Sequence, residues 1–378
     1  MPKRLPATLP LVAAIMLSVC VLAVGCGGAG SNTTTQATSS QPTTTTPAPT
    51  TTTAPPTTSV ATTTVPTTRT VKDKDGNPVE IPYVVERVAP QIGAMAHMTA
   101  LLGCADKIVC AADSNLNATF RKIFPQYVQA NPKGLSTSNV EDVIASHTQV
   151  LYGPITDQAT IDKYRAAGIA VVPINTFSTV DQMKENIRLI AQILGGDAPA
   201  KAEAFCEYYD AQIKYCTDTT ARLAKVTILS LSINAGAMST INSSDICSVY
   251  MTAAGGINVA ANLSVVSGIS AENVIQWNPQ VIITMNASSM QKILTDPTLQ
   301  TVEAVRNRQV YIIPWGTYLW AVRSAEGAMM PLWLTTILHP GLVGGLDMNQ
   351  VVRDYYSRFY GYNISDTEIA SFLAGSQQ

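Results

Sequence analysis

The sequence is poor in the residues that most catalytic and metal-binding sites need. Only three of the 378 residues are histidine, and only 13% of all residues are Asp, Glu, Lys or Arg. The motifs GxSxG, HExxH and GxxxxGK[ST] are missing, and the seven cysteines form no CxxC pair. The missing motifs argue against these enzyme classes. A receptor for bare zinc or manganese needs three or four histidine and carboxylate ligands in one site. Because the three histidines are widely dispersed, the sequence argues against such a receptor.

The chain also lacks a basic field. It carries 24 basic and 26 acidic residues, and no basic stripe is interleaved with aromatic residues. Without Lys3 and Arg4, which lie in a predicted leader, 22 of the basic residues remain and the net charge is about −4. We therefore expect no nucleic-acid partner. The length and the 46% hydrophobic content suffice for one large or two medium domains.

The N-terminus predicts an exported lipoprotein. Lys3 and Arg4 precede an apolar run over residues 11–24, which is too short to span a bilayer as a mature helix. Small residues then lead to Cys26, so residues 1–25 are interpreted as a signal peptide and Cys26 as the lipid-modified first residue. Ala23 stands where such sites usually carry leucine. Ordinary secretion with an incidental cysteine is the alternative.

A low-complexity segment follows the predicted lipid site. Residues 31–70 are dominated by Thr, Ser, Pro, Ala and Gln and contain one charge, Arg69. Such a composition buries too little apolar surface to fold. We therefore predict that residues 26–70 form a disordered tether that holds a folded domain near the membrane. As a flexible coil, residues 31–70 would span roughly 35 Å.

Five cysteines remain for this domain, an odd number for an exported protein. Cys206 and Cys216 are predicted on one helix about 15 Å apart, so they cannot bond to each other. We expect at least one buried thiol among the five. The sequence leaves any pairing that involves Cys104, Cys110 or Cys247 open.

Alternating strand and helix patterns predict an α/β fold with parallel sheets. Residues 71–177 and 225–378 each show this alternation, and residues 178–224 between them are helical. Ala198 to Leu223 has no glycine and no internal proline, which predicts a helix about 39 Å long. It is either a strut that joins two lobes or a helix wrapped against one domain.

Two stretches of the chain nearly repeat each other. Residues 141–151 and 272–282 both read E-x-V-I-x4-Q-V-[L/I]. Each predicts a surface helix that leads into a buried strand, with Glu141 and Glu272 at matching positions. Because the helix dipole favours glutamate in a first turn anyway, an alternative is that these glutamates only stabilise their helices.

Several blocks between Val71 and the C-terminus match one family. They are Asp75-Gly76 before Arg87-Val88, Leu102-Gly103 with Asp106-Lys107-Ile108-Val109, Ala254-Gly255-Gly256-Ile257-Asn258-Val259-Ala260, Trp277-Asn278-Pro279-Gln280-Val281-Ile282, Ala304-Val305 through Val310-Tyr311, His339-Pro340, and Phe359-Tyr360-Gly361. Together these blocks resemble the solute-binding proteins of ABC importers for iron-siderophores, haem and cobalamin.

The resemblance implies two Rossmann-like lobes with mostly parallel sheets, bridged by one long α-helix, and a ligand cleft between the lobes. It also implies that Glu141 and Glu272 dock into arginine pockets of a permease. The expected partners are that permease and its ATPase, a metal chelate and the membrane, and we expect a monomer without a catalytic cofactor. Ala96-His97 departs from the Thr-Glu that often opens the first pocket helix of the family, which bears on ligand identity.

Ligands of doubly wound lobes bind at the loops that follow the carboxyl ends of strands. Aromatic rings concentrated in residues 315–323 could wall a large planar ligand, and Arg323 could pair with a ligand carboxylate or form a structural ion pair. His97 could bind the metal of haem or a corrinoid, or pack in an apolar helix with its neighbours. The expected ligand contacts are Met95, His97, Met98, Asn115, Tyr152, Met238, Trp315, Tyr318, Trp320 and Arg323.

The sequence therefore predicts a membrane-anchored solute-binding protein of an ABC importer that captures an iron-siderophore, haem or cobalamin. A sensor that hands the same ligand to a receptor kinase is one alternative. A chelatase-type enzyme on the same two-lobe architecture is another, although the export signal and tether argue against it.

Overall fold

The computed structural model describes residues 66–112, 116–341 and 346–376. The predicted signal peptide, Cys26, almost all of the tether and Asn115 lie outside these residues. None of the helices within the described ranges is both long and apolar enough to cross a membrane.

The described chain opens with an antiparallel hairpin of β1 (Thr68–Lys72) and β2 (Pro78–Pro82), as the Asp-Gly turn predicts. The ordered strand begins before residue 71, where the folded domain was expected to start. Arg69 explains the difference, because its guanidinium donates to the carbonyl oxygens of Gln192 at 2.8 Å and Ile193 at 2.6 Å. These bonds fasten the last residues of the predicted tether to the folded domain.

The first lobe is built on a parallel sheet in the order β3-β4-β5. A further strand predicted at residues 107–109 is reduced to one bridge between Val88 and Ile108, because a 3-10 turn, Ala105–Lys107, takes up the residues before it. The elements are β3 (Val88–Pro90), α1 (Gly93–Leu101), α2 (Ala118–Ile123), α3 (Pro125–Ala130), α4 (Val140–Ala145), β4 (Val150–Gly153), α5 (Gln158–Ala166) and β5 (Ala170–Pro173).

Two helices, α6 (Val180–Leu194) and α7 (Ala198–Thr220), lead to the second half of the chain. Gly195 and Gly196 separate them with positive φ angles of 68° and 58°, a conformation that glycine adopts without strain. The 23 residues of α7 span about 35 Å. The long helix was predicted correctly, although it ends three residues earlier than Leu223.

The second lobe carries a parallel sheet in the order β12-β11-β6-β9 and a small antiparallel sheet in the order β10-β8-β7. Its strands are β6 (Val226–Ser230), β7 (Ser232–Asn234), β8 (Ala237–Ser239), β9 (Gly256–Asn258), β10 (Ser267–Ile269), β11 (Val281–Thr284) and β12 (Val310–Ile312). The single strand predicted over residues 226–232 is wrong, because the chain breaks at Leu231 and β7 turns back into β8. Ala235 and Gly236 make that turn with φ angles of 48° and 83°, which match a tight hairpin turn.

The helices of the second lobe pack around these sheets. They are α8 (Ile246–Ala253), α9 (Ala271–Trp277), α10 (Ala287–Thr295), α11 (Glu303–Arg306), α12 (Met330–Leu338), α13 (Met348–Tyr355) and α14 (Asp366–Leu373). A 3-10 turn, Ala325–Met329, precedes α12, and a π-helical turn, Tyr356–Tyr360, ends α13.

Helix α7 joins the lobes. It packs against α6 on one side and against α8 and α12 of the second lobe on the other. Phe205 and Tyr209 of α7 are buried in a hydrophobic cluster that includes residues of both lobes. The prediction of two α/β lobes bridged by one long helix is therefore confirmed. All five cysteines within the described residues are buried and free of disulfides.

Candidate functional site

The loop that follows β12 is held around one buried carboxylate, that of Glu326. Its side chain is 0% exposed. The donors are the Thr317 amide (3.1 Å) and hydroxyl (2.5 Å), the Tyr318 amide (3.4 Å), the Trp320 indole (3.1 Å), and the hydroxyls of Tyr356 (2.6 Å) and Tyr360 (3.4 Å). Burial raises the pKa of Glu326, and the hydrogen bonds from Thr317 and Tyr356 oppose that rise. Glu326 therefore fixes the conformation of the loop that follows β12.

Gly316 is a structural requirement of this loop. A Cβ atom added to Gly316 would lie 2.3 Å from the Tyr356 hydroxyl and 2.5 Å from a Glu326 carboxylate oxygen. Only glycine lets the backbone pass this close to the carboxylate. Glu326 was not among the predicted site residues, although it is the single charged residue between Arg323 and Leu338.

His97 connects the first lobe to this loop. Its Nδ1 atom lies 3.2 Å from the Thr317 hydroxyl oxygen. Because that hydroxyl donates its proton to Glu326, it can only accept from His97, so Nδ1 carries a proton. The imidazole is 1% exposed and packs against Phe120 and Tyr318 at ring-centroid distances of 4.5 and 4.7 Å. The contact joins α1 to the second lobe.

Three further contacts fasten the lobes beside His97. The Asn117 side-chain amide donates to the Gly316 carbonyl at 3.3 Å. The rings of Phe124 and Tyr360 lie 5.0 Å apart. Lys122 forms an ion pair of 2.7 Å with Glu368. The segment 117–124 of the first lobe is therefore seated on the loop and the C-terminal segment of the second.

The Lys122–Glu368 ion pair predicts an acid-sensitive contribution to stability. Burial acts to raise the pKa of Glu368, but hydrogen bonds from Lys122, Ser365 and Tyr362 prevail and lower it to about 2. A carboxylate whose pKa is lower in the folded state than in the unfolded state stabilises the fold at pH values above the unfolded-state pKa. This stabilisation is lost as the pH falls through the folded-state pKa. We expect Glu368→Gln to be less stable than the wild type at pH 6.

The difference between Glu368→Gln and the wild type should shrink as the pH falls from about 4.5 towards about 2. Urea unfolding between pH 6 and pH 3 measures it. Asp218→Asn, which removes an exposed ion pair within α7, is the matched control. A difference that does not vary with pH would contradict the assignment.

The structure places four of the expected ligand contacts in the core. Met95, Met98, Tyr152 and Trp320 are each 0% exposed. The Tyr152 hydroxyl pairs with that of Thr99 and so joins β4 to α1. For the two methionines this burial favours the packing alternative, and with them His97 belongs to an apolar, buried helix.

Trp315, Tyr318 and Arg323 form the accessible part of the loop. The two rings are half-buried and Arg323 is exposed. Burial raises the pKa of Tyr318, and the charge of Arg323 opposes that rise. No carboxylate of the described residues lies within salt-bridge distance of Arg323. Burial raises the pKa of Asp245, and the Cys247 amide and the charge of Arg323 oppose that rise, so Asp245 is the described carboxylate that senses Arg323 without forming a salt bridge to it.

Met238 does not join this group. It lies in β8 and packs against a separate hydrophobic cluster of the second lobe. The sequence placed it near the cleft because strand β6 was expected to run on to Ser232, whereas the hairpin of β7 and β8 intervenes.

A cavity of about 520 Å³ lies where both lobes meet α7. Its lining includes Leu101, Phe124, Lys201, Arg358 and Tyr360, and none of the expected ligand contacts. Leu101 in its lining places the cavity at the C-terminal end of α1, whereas the carboxyl end of β3 leads into the N-terminus of that helix. Within residues 66–112, 116–341 and 346–376, no group of three or more His, Cys, Asp or Glu side chains could hold a metal ion.

The two repeated glutamates lie on the surface, away from these contacts. Glu141 is exposed in the first turn of α4, and Glu272 is exposed in the first turn of α9. The Ser270 hydroxyl lowers the pKa of Glu272. The strands that follow, β4 and β11, are buried along their whole length, which confirms the predicted passage from surface helix to buried strand.

Comparisons with known proteins agree with this architecture. The sequence model of the periplasmic binding protein family matches residues 100–315, more than half of the chain. The molybdate-binding protein MolA of Haemophilus influenzae is 23% identical over 322 residues, which cover 77% of this chain and 88% of MolA. The structure of MolA with molybdate matches with a TM-score of 0.66 and 21% identity, over 79% of this chain and 99% of that one.

Two further solved structures are similar. A periplasmic solute-binding protein from Veillonella parvula matches with a TM-score of 0.68 and 23% identity, over 82% of this chain and 98% of that one. CeuE from Helicobacter pylori with Ni(II) bound matches with a TM-score of 0.64 and 20% identity, over 81% of this chain and 99% of that one. At these identities the likenesses establish a shared fold.

Proposed function

Because the chain belongs to the periplasmic binding protein family, and is thus a solute-binding protein of an ABC transporter rather than an enzyme, we propose that it captures a metal chelate outside the cytoplasm and delivers it to a permease. One observation carries the choice of ligand class. Trp315, Tyr318 and Arg323 are accessible in one loop at the carboxyl end of β12. Loops at this position form the ligand sites of such lobes.

The chemistry of the loop fits an anionic, partly apolar ligand. The two half-buried rings offer flat apolar surface. Arg323 is exposed and forms no salt bridge with a described residue, so its guanidinium can bind a carboxylate or another anionic group with two parallel hydrogen bonds. Iron-siderophores, haem and cobalamin remain the candidate chelates. An axial role for His97 would have to use Nε2, because Nδ1 donates to Thr317.

A second candidate ligand is a small oxyanion such as molybdate. The relative MolA is a molybdate-binding protein, and Arg323 is suited to an oxyanion as well as to a carboxylate. An oxyanion would use the guanidinium without needing the aromatic rings, so the two classes differ in the side chains they require.

The membrane anchor and the docking points are parts of the same proposal. Cys26 carries the lipid, and the Thr-rich tether holds the domain near the permease. Glu141 and Glu272 dock on the permease, one from each lobe, since both are exposed and lie at the same position of a repeated motif. A sensor that passes the ligand to a receptor kinase remains the alternative, whereas family membership argues against a chelatase.

Titration of the purified domain tests the ligand class. Ferric siderophores, haem, cobalamin and molybdate are added separately while tryptophan fluorescence and ligand absorbance are followed. A chelate should quench Trp315, which is accessible in the loop. If molybdate is the only compound that binds, the ligand is an oxyanion and the chelate proposal is wrong. If none of the four compounds binds, both ligand classes are wrong.

The variant Arg323→Gln sharpens this test. It should weaken binding of an anionic ligand by about tenfold to a hundredfold, because it removes a charge-assisted pair. Arg306→Gln, which neutralises an exposed arginine on α11, is the control and should bind as the wild type does. Equal affinities of Arg323→Gln and the wild type would exclude Arg323 from the site. With haem, an unchanged Soret band in His97→Ala would exclude His97 as an axial ligand.

A further inference from the structure

The repeated motif of the two lobes is a repeat of structure as well as of sequence. Val143 and Val274 are both 0% exposed and fix their helices to the lobe cores. A polar residue two positions before each glutamate caps the helix, Asn139 for α4 and Ser270 for α9. Each helix therefore begins, and turns its buried side inward, at the same position of the motif.

The equivalence extends beyond the helices. Six residues after each glutamate, His147 and Asn278 adopt positive φ angles of 54° and 40°, which few non-glycine residues do. Two positions later, the side-chain oxygens of Gln149 and Gln280 accept a hydrogen bond at the start of a neighbouring strand. The donors are the Arg87 amide just before β3 and the Thr227 amide of β6, both at 3.0 Å. The two lobes therefore build the same surface feature twice.

Each copy also exposes an isoleucine. Ile144 is 41% exposed and Ile275 is 39% exposed, at the same position of the motif. Each isoleucine lies three residues after the glutamate of its own helix, so the isoleucine and that glutamate are neighbours on the helix surface. Large exposed hydrophobic residues are few among the described residues. Neither isoleucine belongs to a hydrophobic cluster of the described residues.

We propose that Ile144 and Ile275 are paired apolar anchors, each adding a hydrophobic contact beside the glutamate contact of its lobe. The partner is a protein dimer with two equivalent pockets, each apolar with a basic rim. Equivalent features on two lobes of one chain fit a partner whose own two-fold symmetry presents the same pocket twice. The acidic and apolar parts match a basic and apolar pocket in charge and in surface. The inference rests on the proposed function, because the partner is the transporter's permease dimer.

The test measures binding of the ligand-free protein to the chain's own permease–ATPase complex in nanodiscs. The variants are Ile144→Ser, Ile275→Ser and the double variant. Each single variant should weaken binding by about tenfold, and by similar factors, because similar apolar areas are lost. The double variant should multiply the two factors. The loss should persist at high salt, whereas a glutamate contribution is screened.

Two controls separate docking from stability. Ile257→Ser changes an isoleucine that is 50% exposed outside the motif and should bind as the wild type does. Ile144→Leu keeps the apolar surface and should retain the affinity that Ile144→Ser loses. Because the changed side chains are exposed, urea unfolding midpoints should stay close to that of the wild type.

The outcomes distinguish this inference from the proposed function. Wild-type binding with undiminished binding of both serine variants would overturn the anchors and leave the permease partner standing. A loss confined to one isoleucine would overturn the two-fold equivalence. A wild type that fails to bind the complex at all would overturn the proposed partner together with the anchors.

Discussion

Replacing Glu326 by glutamine should lower the free energy of unfolding by about 3 kcal/mol. The carboxylate accepts from backbone, hydroxyl and indole donors in a fully buried site. Glutamine has the same size, but its NH₂ group would face donors and leave some of them unpaired. Chemical unfolding in urea, followed by circular dichroism, measures the effect through the midpoint and slope.

The loop after β12 should lose its order together with the stability. Tyr318 and Trp320 are both bonded to Glu326, so we also expect weaker ligand binding in Glu326→Gln. Glu207→Gln changes an exposed glutamate of α7 and serves as the matched control. If the two variants unfold at the same urea concentration, Glu326 does not organise the loop. Tyr356→Phe removes one donor to the carboxylate and the acceptor of one Thr317 amide bond, and it should cost less than Glu326→Gln.

Local patterns in the sequence predicted the α/β alternation and the long helix, whereas the two-lobe arrangement followed from the resemblance to a known family. Apolar runs alternating with helical periods predicted the parallel sheets, and the uninterrupted stretch after Ala198 predicted the long helix. Both features depend on residues that are close together in the chain. The repeat at Glu141 and Glu272 was visible for the same reason, because one helix and the strand that follows it fall within eleven residues.

Contacts between distant residues set the limit of the prediction. Glu326 could be noticed as a lone charge in an apolar segment, but its partner Tyr356 lies 30 residues away in sequence, and no local pattern links them. His97 was singled out for its chemistry, yet its partner Thr317 belongs to the other lobe. The split of the strand at Leu231 depended on the Ala-Gly turn that follows, where alanine has an unfavourable positive φ.

Replacing both Glu141 and Glu272 by alanine should abolish transport and leave ligand affinity unchanged. Both carboxylates are exposed on first turns of helices, outside the contacts around Glu326. Truncating one partner of a charge pair at an interface weakens binding strongly, so loss at two sites should reduce docking by about a thousandfold. Uptake of the labelled ligand by cells and binding to the purified permease complex measure the effect.

A matched double variant tests whether the position of the glutamates matters. Glu185→Ala with Glu207→Ala removes two exposed carboxylates from α6 and α7 and changes the net charge equally. Because long-range attraction depends on total charge and docking depends on position, the control should support transport while the Glu141 and Glu272 variant does not. Equal losses would reduce the role of the repeated glutamates to general electrostatic attraction. A fall in ligand affinity would instead place them at the ligand site.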